Sequence, residues 1–154
     1  MPKTEILERP KFRVGAVAHR GAFSGIQPAF QRLFQVIRAH DALTRIGGHV
    51  AIYYSTAEAV PVDDLRSHAG AIFTDDLPLP PGLEEVTLPE GRYAVHHHKG
   101  GYEGLGAAWQ DLFEHGIPGL GATGGGMLCY EHYVKNPMNA SPHEYLTDLC
   151  QPLA

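Results

Sequence analysis

The sequence predicts an α+β fold. Two strand–helix–strand–strand units, related by a pseudo-twofold axis, share a mostly antiparallel sheet with both helices on one face. Three observations predict it. The first is an internal repeat: residues 19–34 read HRGAFSGIQPAFQRLF and residues 98–113 read HKGGYEGLGAAWQDLF, an offset of 79 in a chain of 154. Seven of the sixteen positions are identical, where average residue usage gives roughly one by chance. Self-similarity decides the architecture before any local reading does. Two copies do not make a solenoid, so the chain reads as one domain, 1–154, with halves of about 11–75 and 90–154. The second observation is that both copies sit between an alternating strand and two further strands. The third is DDLPLPPGLEEVTLPEG between the halves, whose prolines forbid helix and central strand. Such a duplication leaves a seam, and a ligand groove is expected along it, on the sheet face opposite the helices.

Lys11 to His19 (KFRVGAVAH) alternates and is a strand. A turn at Arg20–Gly25 leads to a helix from Gly25 to His40. Its apolar residues Ile26, Ala29, Phe30, Leu33, Phe34 and Ile37 form one stripe. Ser24 is the candidate cap, and Pro28 falls in the first turn, where a missing N–H costs little. Gly47–Gly48 closes the connection, and strands follow at His49–Ser55 and His68–Thr74. The linker touches the sheet as an edge strand near Glu85–Leu88. The second half repeats the order. Tyr93–His98 is a strand, and Gly104–His115 is a helix with Leu105, Ala108, Trp109, Leu112 and Phe113 on one stripe. Gly116–Gly126 is a loop, followed by strands at Met127–Val134 and Glu144–Pro152.

Composition excludes several classes of function. The net charge is −5, from 12 basic and 17 acidic side chains, with no basic run. Nucleic-acid affinity comes largely from neutralising phosphates, so direct nucleic-acid binding is not expected. The opening MPKTEILERPKF has no apolar signal core, and no apolar run reaches membrane-spanning length. A cytoplasmic protein without membrane attachment is expected. Cys129 and Cys150 read as two buried thiols rather than a disulfide framework.

The candidate motifs divide into weak and strong. Gly119–Gly124 (GLGATG) matches G-x-G-x-x-G, but a helix precedes it and a strand follows, the reverse of a dinucleotide site. No cofactor is implied. His96 and His98 share one strand face and His97 takes the other. Two imidazoles, with His132 as a speculative third, fall short of the three or four converging ligands that zinc needs, so no metal site is assigned. His98 is in register with His19 at the strand-to-turn junction of each half, and a symmetric role follows: the imidazole ties down the next turn by a hydrogen bond. Glu131 is the sharpest residue. It interrupts the apolar strand MLCYEHYV, where the repeat places Ile52, and it shares a face with Cys129 and Tyr133. It is either a solvent-facing carboxylate or a buried charge needing a partner. Trp109 lies on the helical stripe and belongs either to the core or to a site. Tyrosines on paired strands, Tyr54 and Tyr133 among them, can line a half-apolar pocket.

PEGRYAVHHHKGGYEGLGAAWQDLF, CYEHYVKNP and SPHEYLTDLCQPL together resemble the GyrI-like, or AraC-type effector-binding, family. The likeness covers almost the whole chain. It departs mildly at Gly100–Gly101–Tyr102, where the family usually has G-P-Y. The resemblance implies the duplicated fold and a groove between the halves, with Glu131 among aromatics meeting lipophilic, planar or cationic ligands. Tyr133 and Trp109 belong to that site by the same resemblance, and Tyr54 and Tyr102 are added as ligand-binding candidates. The chain leaves no residues for a helix-turn-helix, so it is not expected to be a transcription factor by itself. Two activities follow from the family. One is stand-alone capture of toxic small molecules, with DNA gyrase as a candidate partner. The other is hydrolysis of cyclopropane-bearing DNA-alkylating compounds, with Glu131 as general base and Tyr133 or Tyr54 donating to the oxyanion.

Overall fold

A computed structural model of the chain describes residues 3–54, 60–125, 128–137 and 140–154. The chain divides into two compact units. One is Lys11–Pro89; the other joins Met1–Pro10 to Glu90–Ala154. Among the described residues each unit carries four strands, and every strand pair within a unit is antiparallel. The class is α+β, as the sequence predicts. No helix among the described residues is long and apolar enough to cross a membrane.

In the unit Lys11–Pro89 the strand order is β3-β4-β2-β5. These are β2 (Phe12–Arg20), β3 (Ile46–Tyr53), β4 (Arg66–Phe73) and β5 (Glu84–Leu88). Helix α1 (Gln27–Ala39) lays Ala29, Leu33 and Ile37 on Ala69, Ala71 and Phe73 of β4. The predicted stripe is therefore the buried one. Ser24 does not cap it: it falls inside a 3₁₀ turn, Phe23–Gly25, and the N-cap position is Ile26. Gly47 and Gly48 lie inside β3 rather than before it, at a shift of register between Ile46 and Gly48. Two residues without side chains at a strand start are compatible with either place, and pairing decides. The edge strand expected near Glu85–Leu88 is β5, and it pairs with β2. Ser55 and Met127, placed at strand ends by the sequence, lie outside the described residues.

In the other unit the order is β1-β6-β8-β7. These are β1 (Thr4–Arg9), β6 (Gly91–Lys99), β7 (Cys129–Lys135) and β8 (Leu146–Pro152). Strand β1 was not predicted. TEILER offers only two adjacent apolar residues and no clean alternation, and its partner lies some ninety residues away: Thr4 is opposite His96. Helix α2 (Leu105–Asp111) does not stop where the sequence suggests. A π-type turn at Leu112–Gly116 widens it, and it continues through Ile117–Gly119. Pro118 has no N–H to give to the turn before it, and a widened turn absorbs such a break. The widening also brings Leu112 and Ile117, five apart, into one buried cluster with Ala94, Ala108 and Leu149.

The edge strands are exchanged between the halves of the sequence. β5 precedes β6 in the chain, yet it pairs with β2; β1 precedes β2, yet it pairs with β6. The 79-residue offset places Glu5 on Glu84 and Pro10 on Pro89, so the duplication reaches further upstream than the clear identities show.

Candidate functional site

The repeated motif builds the same turn twice. His19 Nε2 donates to the Ala22 carbonyl at 2.9 Å, and His98 Nε2 donates to the Gly101 carbonyl at 3.0 Å. A carbonyl only accepts, so both rings carry the proton on Nε2. Gly21 (φ 104) and Gly100 (φ 120) adopt the left-handed backbone that starts each turn. The symmetric turn-tying role expected of these two histidines is what the structure shows.

Glu131 sits on β7 opposite Leu149 of β8, and Tyr133 sits opposite Thr147. Leu149 packs with Ala108 and Leu112 of the helical segment. Glu131 and Tyr133 thus lie on the helix-bearing face of this unit, not on the opposite face where the sequence reading put the ligand seam. The orientation of a strand relative to a distant helix depends on hairpin pairing, which a period-two pattern leaves open.

Glu131 is only 3% exposed. Trp109 Nε1–H, from α2, donates to Oε2 at 2.7 Å, and Tyr133 O–H donates to Oε1 at 2.7 Å. Hydrogen bonds to a carboxylate are charge-assisted, and both of these donors are neutral aromatic side chains. Aromatic rings continue outward from this pair. Phe113 stacks on Trp109 with centroids 5.7 Å apart, and is 44% exposed. Tyr102 meets Tyr133 edge-on at 5.5 Å and stacks on Tyr145 at 5.1 Å. Partial burial, then Tyr145 and Glu131, push the Tyr102 hydroxyl up to about 12. Burial and then Glu131 push the Cys129 thiol up to about 12 as well, so it is a thiol and not a nucleophile at neutral pH.

The structure therefore brings four of the five predicted site residues together: Glu131, Tyr133, Trp109 and Tyr102. Tyr54 belongs to the unit Lys11–Pro89, where its ring stands edge-on to His68 at 5.3 Å. Burial, then Glu84, raise its hydroxyl pKa, with Arg66 acting against them. Sequence reasoning missed Phe113 as a member of the aromatic wall, and reached Tyr145 only as one of the tyrosines that can line a pocket. Phe113 had a signal, four residues after Trp109 on the same stripe; the Tyr102–Tyr145 stack joins positions far apart in sequence and had none.

The histidines of the 96–98 run and His132 go to separate partners. His96 Nδ1 is 3.1 Å from Thr4 Oγ1. His97 lies between Asp148 Oδ1 and Glu5 Oε2, 2.7 Å from each. His132 Nδ1 accepts from Arg9 at 2.9 Å. In register, His132 faces the same side as His97, away from His96 and His98. The three imidazoles considered as ligands thus do not converge.

The chain is 29% identical over 91 residues to a DNA gyrase inhibitor of Yersinia enterocolitica, covering 56% of this chain and 58% of that protein. It thus spans just over half the length of that relative. It is 25% identical over 139 residues to a DNA gyrase inhibitor of Erwinia billingiae, with 86% of each chain covered. Among solved structures, it resembles EcmrR in complex with DNA (TM-score 0.76, 15% identity), covering 97% of this chain and 56% of EcmrR. It resembles SAV2435 bound to tetraphenylphosphonium (TM-score 0.70, 14% identity), covering 99% and 94%. It also resembles a hydrolase of Listeria innocua (TM-score 0.68, 15% identity), covering 99% and 92%. At such identities these three likenesses speak to fold alone. The model of the GyrI-like small molecule binding domain matches residues 2–154, and the chain belongs to that family.

Proposed function

We propose that this GyrI-like domain captures lipophilic, planar or cationic compounds at Glu131 and the aromatic residues around it, in the cytoplasm. One observation carries the reading: a nearly buried carboxylate is held at both oxygens by Trp109 and Tyr133. A charge held by neutral donors in a poorly solvated aromatic setting attracts a greasy cation through Coulomb and cation–π interaction. Such a cation loses little on leaving water, so the attraction is not cancelled by desolvation. The tetraphenylphosphonium held by SAV2435 is a compound of this class, which supports the reading by likeness of fold.

The test is a fluorescence titration of Trp109 with tetraphenylphosphonium, alongside Glu131→Gln. Loss of one charge near the ligand is expected to weaken binding by about 1–3 kcal/mol, or roughly 5- to 150-fold. Equal affinity in the two proteins rejects the role of Glu131. The relatives named as DNA gyrase inhibitors support a further proposal, that the protein modulates gyrase. Added protein should then inhibit supercoiling by purified gyrase, and an unchanged supercoiling rate rejects it.

The Tyr133 hydroxyl beside the Glu131 carboxylate also suits a hydrolase acting on strained cyclopropane-bearing alkylating agents. Glu131 would take a proton from a water that bonds to a cyclopropane carbon; the ring C–C bond breaks, its electron pair passes to a conjugated carbonyl oxygen, and Tyr133 O–H turns from Glu131 to donate to that oxyanion. A product heavier by one water, absent with Glu131→Gln, supports that chemistry; intact compound after long incubation rejects it for that compound.

A further inference from the structure

The repeat carries two copies of one device with different cargo. In each, a histidine at a strand end hydrogen-bonds a carbonyl three residues on, and a second amide shares that carbonyl. Ala22 O accepts from Gly25 N at 2.9 Å, and Gly101 O accepts from Gly104 N at 3.3 Å. Each turn is also tied to the neighbouring strand region by backbone: Gly21 N to Leu65 O and Gly100 N to Tyr145 O, both at 2.8 Å. The first copy holds Phe23, whose ring lies 4.5 Å from Tyr53. The second holds Tyr102, which stacks on Tyr145 and meets Tyr133, the donor to Glu131.

The two copies also differ in how closely the ring sits on the turn. A Cβ at Gly104 would come within 2.8 Å of the His98 ring, whereas one at Gly25 would lie 3.5 Å from the His19 ring. The first is a clash and the second an ordinary contact. The His98 imidazole is therefore seated on Gly104, and the turn carrying Tyr102 cannot shift without moving the ring.

We infer that His98 is a positioning residue of the ligand site: its bond to the Gly101 carbonyl fixes the turn that presents Tyr102 to Tyr133 and so sets the aromatic wall beside Glu131. His98 acts through Tyr102. A latched ring is already in its bound place, so a ligand does not meet the entropy of ordering it. The inference rests on the capture reading, with lipophilic cations as the ligand class.

The experiment titrates tetraphenylphosphonium into the wild type, His98→Leu, His98→Gln, Gly104→Ala and Glu131→Gln, with a thermal melt of each. Glutamine carries an N–H at about the position of the imidazole Nε2 and can keep the latch; leucine cannot. His98→Leu and Gly104→Ala are expected to bind roughly 3- to 10-fold more weakly, the range of one neutral hydrogen bond, with His98→Gln within about 2-fold of wild type. Wild-type affinity in His98→Leu, with Glu131→Gln still weakened, overturns the latch and leaves the capture reading standing. Equal weakening in His98→Leu and His98→Gln overturns it too, since ring packing and not the bond would then matter. Wild-type affinity in Glu131→Gln overturns both. If His98→Leu fails to melt cooperatively, Gly104→Ala decides: weakened binding supports the latch and unchanged binding rejects it.

Discussion

Glu131 sits where 3% of the residue meets solvent, and Trp109 and Tyr133 donate to its two side-chain oxygens. Removing either leaves a carboxylate oxygen short of a charge-assisted bond, at about 1–3 kcal/mol. Trp109→Phe and Tyr133→Phe should each lose stability by that amount in chemical denaturation, and Glu131→Gln should lose less, because its amide carries no buried charge. A Glu131→Gln protein less stable than both would show that the carboxylate is a net stabiliser. Next to it, Cys129 has its thiol pushed up to about 12 by burial and by Glu131. Folded protein at pH 8 should leave Cys129 unmodified by iodoacetamide, and denatured protein should not; mass spectrometry of the intact chain separates the two.

The elements show what holds the site's unit together and how much of it can be read in advance. Strand β1 is fastened through Glu5 to His97, and His97 to Asp148 on β8. Burial lowers the His97 pKa, but its hydrogen bonds to the Asp148 and Glu5 carboxylates more than offset it, and the net shift is upward from 6.5. A raised histidine gives stability that is complete below its unfolded value and lost as pH climbs through its folded one. The amides of β1 should therefore exchange faster as pH rises past about 6.5, after correction for intrinsic exchange, and His97→Gln should abolish that dependence. An unchanged pH profile in His97→Gln would remove the clamp from the account. None of this clamp was legible, because β1 itself was not: TEILER makes sense only against a partner far along the chain. The helices were legible because stripes of six and five apolar residues each have one burial solution. The π-type turn was not, since Gly116 and Pro118 read equally well as the end of a helix. Of the site, Glu131 declared itself as a carboxylate in an apolar strand, and His19 with His98 declared themselves by repetition. The sheet face of Glu131 did not, because register is a property of pairing and not of alternation.

At the scale of the molecule, the exchanged edge strands make the sequence halves different objects from the compact units. Residues 90–154 contain the Glu131 site but lack β1, which pairs with β6 from Gly91 to His96. Removing residues 1–10 should leave β6 an open edge that templates association, seen as soluble oligomers in size-exclusion chromatography. A peptide of residues 1–10 added in trans should shift them back toward monomer. Monomeric truncated protein with wild-type melting would mean that β1 is dispensable.

The exchange also imposes an order of events on a ribosome. The unit Lys11–Pro89 is contiguous in sequence, so once residue 89 has cleared the exit tunnel it can close while synthesis continues. Strand β1 leaves the tunnel before the strands of that unit and finds its partner only after residues 91–96 appear. For that interval a nascent chain carries one folded unit and a short, charged strand waiting ahead of it. The glutamates and arginine of TEILER, which hid it from recognition as a strand, are also the residues that keep it soluble during the wait.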